Sequence, residues 1–109
     1  MVMTDVQSVA ANTTTANILA GKAKEFCEEA SIIVVGVNAS AVGLRCSLII
    51  GNEVVIDDQE VSSINRMPQF PEDVLAEGGA FPGDRITLRL RNTTAGALTG
   101  FSKINISPA

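Results

Sequence analysis

Between Val42 and Asp58 the chain reads VGLRCSLIIGNEVVIDD, the stretch that most restricts what it can fold into. Val42, Leu44, Cys46, Leu48 and Ile50 recur at every second position, with Gly43, Arg45 and Ser47 between them. Successive side chains of a strand point to opposite faces, so this pattern suits a half-buried β-strand and no helix. Gly51-Asn52 follows, and Val54, Val55 and Ile56 resume a β-branched run. Both turn residues tolerate positive φ, which predicts a hairpin with a two-residue loop.

Other segments extend the pattern. Ser31–Asn38, SIIVVGVN, is short, β-branched and apolar throughout, which predicts a strand buried on both faces. One face would meet the core, the other the N-terminal segment or a neighbouring subunit. Arg85–Asn92 alternates Ile86, Leu88 and Leu90 with Arg85, Thr87, Arg89 and Arg91, and Leu98–Ser107 offers Ile104 and Ile106 as inward residues. Gln59–Asn65 has the character of a further short strand. Thr13–Phe26 has the Ala, Lys and Glu content of an amphipathic helix, but its Thr triplet and Gly21 favour a strand kinked near Gly21. Pro71–Glu77 carries helix signals, with proline at the first position, Glu72 and Asp73 at the positive end of the dipole, and Gly78-Gly79 as a stop. Residues 1–12 lack periodicity and are expected to form a flexible arm. Short strands punctuated by Gly, Pro and Asn describe an all-β domain over residues 13–109, a single antiparallel β-sandwich with one short helix inserted near residues 71–77.

Composition removes several functions. The 109 residues suffice for one core. Charged residues are only 18%, below the roughly 25% of ordinary domains, which suits a surface that packs against other subunits. A net charge of −4 argues against nucleic-acid binding, which needs a basic footprint. No run reaches the roughly 18 apolar residues of a membrane span. The N-terminus has neither a basic region nor an apolar core, so no signal peptide is expected. Without histidine the commonest general base and transition-metal ligand are missing, and no nucleophile elbow, phosphate loop or dinucleotide fingerprint occurs. The chain therefore reads as no enzyme, with no cofactor and no small-molecule substrate. Cys27 and Cys46 suit buried thiols, while a disulfide between them would indicate a secreted adhesin- or pilus-like module.

Three surface features stand out. Arg85, Arg89 and Arg91, with Arg45 on the same sheet, make one basic face on an acidic molecule, suited to the carboxylates of another copy. Glu53, Asp57, Asp58 and Glu60 could gather around a calcium ion or be a solvated hairpin end. Four Asn-X-Ser/Thr triplets, at Asn12, Asn38, Asn92 and Asn105, read as turn and strand-end chemistry. Arg85, Arg89, Arg91, Ile33 and Val35 are the candidate subunit contacts.

The segment NRMPQFPEDVLAEGGAFPGDRITLRLRNTT, Asn65–Thr94, resembles the long connection and following strand of small jelly-roll or β-sandwich virion proteins, helix included. The resemblance implies a coat, penton or decoration protein of a virus or bacteriophage, made in the host cytoplasm and housed in the virion. Its partners would be copies of itself or another shell protein, with no specific nucleic acid. A soluble ligand-binding or adaptor sandwich, monomeric or dimeric, is the alternative.

Overall fold

The computed structural model describes residues 1–22 and 25–109. In chain order the strands are β1 (Val2–Val9), β2 (Ser31–Ala39), β3 (Leu44–Ile50), β4 (Glu53–Glu60), β5 (Ala76–Ala80), β6 (Ile86–Asn92) and β7 (Leu98–Pro108). They form a wide antiparallel sheet, β1-β7-β2-β5, and a narrow one, β4-β3-β6, packed face to face as a sandwich. The described residues include no helix.

The expected hairpin forms: Ile50 pairs with Glu53 across Gly51-Asn52, with Gly51 at φ 60°. Alternation carries Leu44, Cys46, Leu48 and Ile50 of β3 and Ile86, Leu88 and Leu90 of β6 into the core, each at 3% exposure or less. From the wide sheet come Ile33, Val35 and Val37 of β2 and Ile104 and Ile106 of β7. Complete burial of such a side chain is worth about 1.5–3 kcal/mol, so this aliphatic layer dominates stability.

Burial of β2 on its second face is partial. The connection from β4 to β5 crosses it, with Pro68 and Phe70 against Gly36 and the Asn38 amide donating to the Arg66 carbonyl at 3.2 Å. Ile32, further along the strand, stays 43% exposed.

Residues 71–77 form no helix. A turn spans 70–73, the Leu75 N–H donates to the Val35 carbonyl at 2.8 Å, and Ala76–Ala80 pairs with Val35–Ser31 as β5. Pairing with the edge of β2 outweighs the local helix signals, and Gly78 belongs to a strand instead of stopping a helix. A Cβ on Gly78 would lie 2.9 Å from Ile50 Cδ1, so glycine lets β5 approach the narrow sheet.

Three further expectations are corrected. Residues 1–12 are no separate arm, because Val2–Val9 pairs with Asn105–Leu98 over the whole length of β1. Thr13–Phe26 is no kinked strand, since its described residues form no ladder and count as β structure only at isolated bridges, Thr14–Arg91 and Phe26–Arg85. Ala23 and Lys24 of that expectation lie outside the described residues. Of Gln59–Asn65, only Gln59 and Glu60 belong to a strand, the end of β4, and Ser62 adds a single bridge to Asn38.

Candidate interaction surfaces

On the outer face of the narrow sheet, two register shifts place extra residues in β4, opposite Cys46–Leu48 and Leu48–Ile49 of β3. Such bulges re-aim side chains. At the first, Asp58 adopts φ 50°, a conformation Asp tolerates better than most residues, and its N–H donates to Ser47 Oγ at 3.0 Å. Its carboxylate thereby meets two arginines. Arg91 Nε donates to Oδ1 at 2.9 Å and Nη2 to Oδ2 at 2.6 Å, while Arg45 Nε donates to the Asp58 carbonyl at 2.8 Å. The Arg91 fork holds Asp58 below the usual carboxylate range, and Asp58 raises Arg91 in return.

The arginine face is divided by these contacts. Arg85 donates to Glu25 Oε2 at 2.8 Å and lies over the Phe26 ring. Arg89 has no carboxylate partner among the described residues and lines an open groove of about 300 Å³ with Ser47, Ile49, Val54 and Asp57. The four carboxylates Glu53, Asp57, Asp58 and Glu60 do not converge, as no metal-holding group of three or more such residues occurs among the described residues. Cys27 and Cys46 are buried and not joined to each other, so the pairing expected of an adhesin-like module is not formed. Burial, with the Asp58 charge adding to it, pushes the Cys46 thiol up to about 12, too high for a thiolate nucleophile.

Ile33 and Val35 are not contact residues. Both are 0% exposed, and the phase of β2 turns Ile32 and Val34 outward in their place. Nor does the core use the aromatic residues: Phe26 and Phe81 are 54% and 75% exposed, and Phe70 and Phe101 are half-buried. Phe101 lies beside Val6 in the sheet, and Lys103 stands 5.0 Å from the centre of the Phe70 ring. Val2, Val6 and Ile32 complete an apolar outer face on the wide sheet. Aromatic side chains displaced from a core to a surface are typical of contact regions.

The sheet edges differ. Beside β6 the irregular segment supplies a partner for each outward backbone group from Ile86 to Leu90. Glu25 O accepts from Ile86 N–H, the Asn17 amide bridges Ile86 O and Leu88 N–H, Ile18 N–H donates to Leu88 O, and Thr15 serves both groups of Leu90. Among the described residues no strand pairs with β1 on its outer side. Sequence reading missed Asn17 and Thr15 because side-chain capping leaves no periodicity; Asn and Thr in an apolar context were the only sign.

No helix among the described residues is long and apolar enough to cross a membrane. No protein-family model matches the chain, and neither a curated protein nor a solved structure is significantly similar to it.

Proposed function

We propose that this chain is a non-enzymatic structural protein that associates with copies of itself or docks on a lattice of another shell protein, as a coat, penton or decoration component of a virion. The observation that carries this reading is the strand order. With the irregular segment in the place of an eighth strand beside β6, the sheets read β1-β7-β2-β5 and segment-β6-β3-β4. That order supports a jelly roll, two Greek keys folded into facing sheets, an architecture used by virion shells as well as by lectins and cupins. Fold alone does not choose among these. The exposed Phe26, Phe81, Val2 and Val6 favour a protein that covers its surface with others. The stretch Asn65–Thr94, on which the likeness to virion proteins rests, contains β5 and β6 and no helix.

Light scattering of the purified chain over a concentration series tests the reading. A mass well above 11.4 kDa is expected. A mass of 11.4 kDa at every concentration overturns self-association and leaves lattice docking as the virion role. The groove beside Arg89 supports a second reading, a ligand-binding sandwich, which that outcome would bring forward.

A further inference from the structure

β1 is an edge strand with little of the usual protection of an edge. It contains no proline, lysine or arginine, and its outward row is Val2, Thr4, Val6 and Ser8, with both valines 56% exposed. Its one charge, the inward-pointing Asp5, is the only such device, and its carboxylate is engaged within the chain, accepting from Gln7 at 2.9 Å and Lys22 at 3.3 Å.

The hydrogen-bond phase of this edge follows from its first residue. Met1 and Ile106 exchange both backbone bonds, at 2.6 and 2.8 Å. Alternation along an antiparallel ladder then turns Met3, Asp5, Gln7 and Val9 toward β7, and the N–H and C=O of Val2, Thr4, Val6 and Ser8 toward the open side. The row is self-complementary for a second copy running antiparallel, in registers centred on Thr4, Asp5 or Val6. Centring on Asp5 sets two carboxylates directly opposite each other, which is unfavourable. Centring on Val6 leaves Val2, one of the two exposed valines, opposite Ala10, where β1 has ended. Centring on Thr4 leaves only the polar Ser8 unpaired and covers both exposed valines, setting Val2 opposite the partner's Val6 in both directions, Thr4 opposite Thr4, and Asp5 opposite Met3.

We propose that β1 is the contact between copies, pairing antiparallel about a two-fold axis at Thr4 to join two four-stranded sheets into one of eight. This inference rests on the self-association reading and specifies its surface and register.

Thr4→Pro tests the edge. The Thr4 N–H makes no bond to β7, so proline there removes nothing from the chain's own ladder, yet it blocks the ladder between copies. The expected result is a fall in mass relative to wild type, with the β-sheet circular dichroism unchanged. Mild oxidation of Thr4→Cys and Val6→Cys tests the register, because hydrogen-bonded partners about 5.5 Å apart fall within disulfide range and both native cysteines are buried. Thr4→Cys should give a covalent dimer on a denaturing gel, at least about tenfold faster than Val6→Cys. An associating wild type with Thr4→Pro at the same mass, or cross-linking no faster at 4 than at 6, overturns this inference and leaves self-association standing. A monomeric wild type overturns both.

Discussion

The narrow sheet is bounded by β4 and β6 and the wide sheet by β1 and β5, and the chain treats the edges at β6 and β1 in opposite ways. Along β6 an irregular segment satisfies the outward backbone groups from Ile86 to Leu90, with the Asn17 amide and the Thr15 hydroxyl replacing peptide groups that a bent chain cannot offer. Along β1 the outward groups of Val2, Thr4, Val6 and Ser8 face solvent between exposed valines. A chain that closes one edge with such economy leaves the other available. With β4 bulged and rich in carboxylates and β5 only five residues long, edge pairing is thereby directed to β1, which is how a sheet protein can associate without aggregating.

Breaking the covered edge has the largest expected effect. Asn17→Leu keeps the number and branching of the side-chain heavy atoms but leaves Ile86 O and the N–H groups of Leu88 and Leu19 buried without partners, costing about 3 kcal/mol or more in urea unfolding. A variant as stable as wild type would mean that water serves this edge, and the contrast with β1 would lapse. Thr15→Val removes one acceptor, from Leu90 N–H, for about 1 kcal/mol by the same assay. Val6→Lys should change stability by no more than about 0.5 kcal/mol while lowering the mass seen by light scattering.

The acid response should be smaller. The Arg91 fork holds Asp58 below its ordinary 3.8, and the Gly21 N–H, assisted by Arg85, holds Glu25 below 4.5. Groups depressed by folding contribute stability that is complete above their ordinary values and is lost as pH falls through the folded ones. The melting temperature should therefore hold from neutrality to about pH 5 and decline below about pH 4, with Asp58→Asn flattening part of the decline. Smallest of all is Arg89→Glu. With no intrachain partner to lose among the described residues, it should leave melting unchanged, and reduced mass would show that the groove also serves assembly.

What could be read from the sequence depended on whether a signal was local. The β3–β4 hairpin, β6 and β7 were legible because alternation and Gly51-Asn52 lie within single short stretches. β1 was not, because Asp5 and Gln7 occupy inward positions and interrupt its apolar row. Pro71–Glu77 carried sound helix signals, overridden by the free side of β2. At the surface the arginines were visible, yet their division among Glu25, Asp58 and an open groove depended on bulges in β4. Ile33 and Val35 were misplaced because a run apolar at every position has no readable phase.

The two bulges of β4 also make that strand longer than the path it covers. Against β3 it carries one spare residue near Val55 and another at Asp57-Asp58. Loss of Asp57 would let Asp58 stand opposite Ser47 and straighten the ladder, with Ile56 still facing inward. Loss of one residue from the middle of β3 would reverse the faces of everything beyond it. Length variation in this hairpin is therefore absorbed by one strand and forbidden to the other, a tolerance held in reserve like slack in a rope.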